Sequence, residues 1–103
     1  MSTYVLTYRA PKGYAAGSPE TVAEWRAFFA GLGDQLVERG NPVFARTTAG
    51  NCGADTELGG YSLVTADDLE AAATMAKACP YVAAGGGVEV GEVTFLTPEG
   101  TVA

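Results

Sequence analysis

A chain of 103 residues has room for one domain around one modest core, not for two. Six Lys and Arg against twelve Asp and Glu leave it at −6, and the basic residues (Arg9, Lys12, Arg26, Arg39, Arg46, Lys77) form no stripe, which disfavours nucleic-acid binding. The absence of histidine excludes Ser-His-Asp and Cys-His catalysis, histidine bases and histidine metal sites.

Thr3 to Arg9, "TYVLTYR", puts Tyr4, Leu6 and Tyr8 on one face and is expected to be the first strand. A Pro- and Gly-containing loop follows. Ser18 and Pro19 then form a helix start, a hydroxyl cap before a first-turn proline. Val22, Trp25, Phe28, Phe29, Leu32, Leu36 and Val37 recur at helical spacing, with Gly40 and "NP" as the stop. Gly31 and Gly33 inside that run imply either close packing on a sheet or a break. "VFART", Val43 to Thr47, reads as a second strand, and "LGGYSLVT", Leu58 to Thr65, as a third, the two joined as a hairpin. Tyr61, Leu63 and Thr65 fall on one face of the third strand and Ser62 and Val64 on the other.

Asp67 and Glu70 have capping-box spacing at the start of a second helix, with Leu69, Ala72, Ala73 and Ala76 forming a narrow, small-residue face. Cys79-Pro80 is the expected stop. "VEVGEVTFL" is the last strand, with a bulge expected where Gly91 shifts the alternation. The order β-α-β-β-α-β predicts an α+β, ferredoxin-like domain over residues 1–103, a four-stranded antiparallel sheet with two helices on one face. Apolar residues on both strand faces then predict a homodimer joined through the open sheet face. No apolar run approaches the ~20 residues that cross a bilayer, and the N-terminal stretch lacks signal-peptide character, so a cytoplasmic chain without a membrane partner is expected.

The ordered set Leu58-Gly59-Gly60-Tyr61, then Ala76, Lys77, Cys79 and Pro80, then Gly86-Gly87-Val88-Glu89-Val90, resembles the YCII-related domain family. The first half agrees in kind, with an aromatic-led strand and a helix carrying Trp25 and Phe28. The resemblance implies a dimeric α/β barrel with a cavity in each protomer. Most such proteins have no assigned activity, and some are thought to use a His-Asp pair. That pair cannot be carried over to a chain without histidine. Many relatives also carry an Asp-Gly-Pro-Phe segment before the third strand, where this chain has "NCGADTE".

Candidate ligand-binding residues are Tyr8, Arg9, Trp25, Cys52 and Tyr61. Tyr61 follows the glycine pair and either lines a pocket or packs in a seam. Cys52, with Asp55 and Glu57 nearby, is either a nucleophile beside a base or part of a polar loop. Arg9 and Lys12 suit an anion or are solvated loop charge. Trp25, Phe28 and Phe29 at helical spacing are most simply core. Cys79 reads as a small buried hydrophobe whose thiol a helix C-terminus would keep protonated. Asp67, Asp68 and Glu70 suit a helix start, so no metal is expected. Gly85-Gly86-Gly87 lacks the following Lys and helix of a phosphate loop, so no cofactor is expected. The resemblance, with its cavity in each protomer, implies first a homodimer of unassigned function that binds a small organic ligand. Analogy with the superfamily that the resemblance implies gives a cofactor-independent isomerase, lyase or oxygenase as one alternative, and a structural or regulatory dimer module is the other.

Overall fold

The computed structural model describes residues 1–103. The chain runs through strand β1 (Ser2–Pro11), helix α1 (Pro19–Leu32), a 3-10 turn (Gly33–Gln35), strand β2 (Leu36–Glu38), strand β3 (Thr56–Ala66), helix α2 (Leu69–Ala76), a short helix α3 (Pro80–Ala83) and strand β4 (Gly87–Glu92). The sheet order is β2-β3-β1-β4 and every pairing is antiparallel. This is the ferredoxin-like arrangement that the element order predicts. No helix is long and apolar enough to cross a membrane.

Strand alternation builds the core. Tyr4, Leu6, Tyr8 and Ala10 of β1 point to one side and are buried, as are Ser62, Val64 and Ala66 of β3. Phe28 and Leu32 of α1, Ala72 and Ala76 of α2, then Cys79 and Tyr81 close over them. Burying Leu6 completely contributes about 1.5–3 kcal/mol. On the other side, Thr3, Val5 and Thr7 stand opposite Thr65, Leu63 and Tyr61, and nothing in the chain fully covers them.

Four local readings are corrected. Helix α1 ends at Leu32, not near Gly40, because Gly33 takes φ +56° and its N–H returns to the Ala30 carbonyl. Of the two readings of the glycines, the break is the one realised. Leu36 sits one helical step beyond Leu32 in spacing, yet it pairs with Val64 in the sheet. The second strand is therefore Leu36–Glu38, and Val43–Thr47 is not a strand. Only Pro42 bridges Gly60 there, and proline has no N–H with which to continue a ladder. The cap of α2 is Asp68, whose carboxylate accepts from Ala71 N–H at 2.8 Å, rather than Asp67. Finally, β4 pairs with β1 in unbroken register past Gly91. The irregularity falls between Tyr8 and Arg9, where Tyr8 faces Gly60 and Arg9 faces Leu58, leaving Gly59 as the extra residue.

Candidate functional site

Along the helix side of β3 the side chains shrink from Val64 to Ser62 to nothing at Gly60, which lies opposite Tyr8. The layer between sheet and α1 therefore empties toward that end. A cavity of about 380 Å³ opens there. From α1 it is lined by Val22, Trp25, Arg26 and Phe29, the i, i+3, i+4, i+7 positions of one helical face. The segment after β2 supplies Arg39, Gly40, Asn41, Pro42 and Phe44. Tyr8, Gly59, Gly60 and Tyr81 form much of the rest.

The wall made by residues 39–44 is tied to β3 at several points. The Ser62 hydroxyl donates to the Arg39 carbonyl at 2.5 Å. Val43 N–H donates to the Gly59 carbonyl at 3.1 Å. Arg46 donates to the Val43 carbonyl at 2.9 Å and the Leu58 carbonyl at 3.1 Å, and its guanidinium meets Glu57 at 2.6 Å. The loop that replaces a regular strand is held as a wall by these bonds, without a ladder.

Aromatic rings form the inner end. Tyr8 packs edge-on against Trp25 at 5.1 Å between centroids, and Trp25 against Tyr81 at 4.8 Å. The Trp25 indole N–H donates to the Tyr14 hydroxyl at 3.2 Å, and Tyr14 in turn packs on Tyr81. The Tyr8 hydroxyl donates to Ser62 Oγ at 2.8 Å. Burial pushes the Tyr8 phenol up to about 12, with the nearby Cys79 thiol adding to the rise and the Ser62 bond opposing it. Burial also raises Tyr81. Both phenols are thus protonated near neutral pH.

The five residues nominated from the sequence separate into two places. Tyr8, Trp25 and Tyr61 border the cavity. Tyr61 does so from the sheet edge, since its register opposite Thr7 puts its ring on the open side, where its hydroxyl accepts from the Asn41 amide at 3.4 Å. Arg9 and Cys52 lie elsewhere. Arg9 is bound to the Thr56 hydroxyl (3.0 Å), the Thr56 carbonyl (2.8 Å) and the Cys52 carbonyl (3.2 Å), and so pins the 52–56 turn to β1. The residues that sequence reasoning missed are Arg26, Arg39, Phe44 and Tyr81. For Arg26 a signal was present, because a lone cation inside the apolar stripe Val22-Trp25-Phe29 breaks the amphipathic rule. For Arg39 and Phe44 there was none, because their position depends on where β2 ends.

Cys79 is buried at 1% exposure in the core. Its thiol rises from the ordinary 9.0 to about 11 through burial, against the lowering effect of bonds from the Tyr81 and Val82 backbone. It stands at the N-cap of α3, not at a helix C-terminus, so the cause of the rise is desolvation and not the dipole expected from the sequence. Cys52 is exposed. A thiol reagent near neutral pH is therefore expected to label Cys52 alone in the native protein and both cysteines in denaturant. Two rapidly labelled thiols in the native state would contradict the burial of Cys79.

A family model, the YCII-related domain, matches residues 1–96. The chain belongs to the YCII-related family. No curated protein and no solved structure matches it. The match covers β1 through β4 and so includes every residue that lines the cavity. In this YCII-related chain no carboxylate and no thiol lines that cavity. No group of three or more His, Cys, Asp or Glu side chains is placed to hold a metal ion. The chemistry available at the walls is guanidinium, phenol, indole, amide and backbone.

Proposed function

We propose that this YCII-related domain binds a small organic molecule in the cavity between α1, the glycine end of β3 and residues 39–44, as a homodimer joined through its open sheet face. The observation that carries the reading is the cavity itself. Its volume of about 380 Å³ falls in the range of small-molecule sites, and its apolar walls converge on a few polar groups. Tyr8, Trp25 and Tyr61 are the proposed contacts from the original set. Arg9 and Cys52 do not line this cavity, and Arg9 bonds the 52–56 turn. The open face adds support for the dimer, because Val5 and Leu63 lie opposite each other there and the chain leaves both only half-buried.

Binding is favoured over catalysis for a chemical reason. Proton transfer near neutral pH needs a group that changes protonation in that range. The carboxylates and thiols lie off the cavity wall, and the Tyr8 phenol holds its proton up to about 12.

Native mass spectrometry tests both halves together. The expected species has twice the 10.5 kDa chain mass plus a small adduct that denaturation removes. A dimer that stays bare after incubation with a broad metabolite extract would remove the ligand. A monomer at working concentration would remove the paired sheets.

A further inference from the structure

The four arginines of the chain fall into two kinds. Arg9 and Arg46 are spent on the fold. Between them they bond five protein oxygens and a carboxylate, as the turn and wall contacts above describe. Part of that set is shared between backbone and side chain, which is how a guanidinium staples a loop. Arg26 and Arg39 are different. Neither side chain donates a hydrogen bond within the chain, and neither takes part in an ion pair. Only the Arg39 backbone carbonyl is engaged, by Ser62. Both uncommitted guanidiniums line the same cavity.

Arg26 is unpaired for a readable reason. A helical residue meets those three and four positions away, and here these are Val22, Ala23, Phe29 and Ala30. An acidic chain offers many partners, yet no carboxylate occupies any of these positions. The same exclusion holds across the whole cavity. Twelve Asp and Glu stand on this chain, and none lines the cavity, whereas two of the six basic residues do. A surface at −6 repels anions at long range, so two cations without local counter-charges make this cavity a place where an anion is attracted.

We propose that the ligand of this cavity is an organic carboxylate with a flat apolar body. This proposal rests on the small-molecule reading above and names its ligand class. Arg26 and Arg39 would receive the carboxylate, since a guanidinium presents planar paired donors that match a carboxylate oxygen for oxygen. The Asn41 amide adds a neutral donor at the same wall. Trp25, Phe29 and Phe44 take the apolar body, with Phe44 left 71% exposed until something covers it. The predominance of ring surface over charge favours a single carboxylate on an aromatic or similarly flat frame, over a highly charged metabolite.

The test is a matched series on the full-length protein: 3-phenylpropionate, its neutral amide, and 3-phenylpropylamine as the cation. Trp25 is the single tryptophan and stands in the cavity wall, so its emission reports occupancy. The carboxylate is expected to bind about 10-fold or more tightly than the amide, the difference a charge-assisted pair makes, with the ammonium weakest. Added salt should weaken the carboxylate and leave the amide unchanged. Arg26→Gln and Arg39→Gln should each lower carboxylate affinity about 5–10-fold with no loss at the amide, because each removes one charged donor. Both side chains are exposed and unbonded, so both variants should melt with the parent. Amide binding equal to carboxylate binding, with a saturable Trp25 response, would overturn the anion class and leave the cavity reading standing. Affinity insensitive to both arginine changes would do the same. No response to any of the three compounds would overturn the class as stated, and the native-mass experiment would then decide the cavity reading by itself.

Discussion

Gly40→Ala is expected to cost about 2–5 kcal/mol of folding stability, the sum of a left-handed backbone penalty and an overpacking penalty. Gly40 sits at φ +74°, where an L side chain is strained. The added methyl would also run into the carbonyl of Tyr61, a backbone atom that cannot rotate away. The crossing is tight from the other side as well. A Cβ on Gly60 would lie 2.9 Å from the Asn41 carbonyl, and Gly60 is at φ +152°. These two glycines let residues 39–44 lie against β3 and wall the cavity. A small domain holds only about 5–15 kcal/mol in all, so the variant should show a clear drop in melting temperature and in urea midpoint. Gly60→Val should fall in the same direction. By contrast, Gly31→Ala is expected to be neutral or stabilising, since nothing lies within 4 Å of a Cβ there and the residue is helical. A Gly40→Ala protein that melts with the parent would mean that the wall is not held as described.

The second large effect is alkaline destabilisation from two buried acids. Cys79 moves from the ordinary 9.0 to about 11 on folding, and Tyr8 from 10.0 to about 12. Both shifts are upward. The unfolded chain therefore releases these protons at lower pH than the folded chain does. The stability they contribute is whole below about pH 9 and is lost as pH rises through the folded values, being exhausted above about pH 12. A shift of about two units corresponds to about 3 kcal/mol for each group. Urea midpoints measured from pH 7 to pH 12 should thus be flat to about pH 9 and then fall, most steeply between about pH 10 and 11, where both groups act. Cys79→Ala should lower stability at neutral pH and remove the earlier part of that fall. Tyr8→Phe should remove the later part. A midpoint unchanged up to pH 12 would contradict the burial of both groups.

The legibility of the fold followed the strength of each local signal. The Tyr4-Leu6-Tyr8 alternation, the Ser18-Pro19 start and the Ala72-Ala76 face are each decided within a few residues, and the structure keeps all three. The misplaced second strand had a different origin. Leu36 and Val37 continue the helical spacing of Phe29 and Leu32, and periodicity cannot distinguish a helix from a strand that happens to follow it in phase. Gly33 decided the matter by adopting φ +56°, a choice its own sequence permits but does not compel. At Gly91 the broken alternation suggested a bulge. The β1–β4 register is unbroken there, and the irregularity falls at Gly59 in the β1–β3 pairing instead.

The candidate site was legible only where one element carries it. Trp25 and Tyr8 were nominated from helix and strand patterns, and Arg26 stood in the same stripe as Trp25. Arg39 and Phe44 could not be placed without knowing that β2 stops at Glu38. Arg9 and Cys52, attractive as an anion binder and a nucleophile, turned out to meet each other through a carbonyl on a turn.

By itself the sequence determined the element order, the buried face of β1 and the family, because short-range alternation, caps and an ordered motif set are local properties. It also determined that any chemistry proceeds without histidine, which is a matter of composition. Only the tertiary structure decided which two of four arginines are left without partners, and that they share one cavity. Pairing depends on which residues meet across the chain, and here that turned on two glycines that let residues 39–44 cross β3 at a distance no side chain would allow.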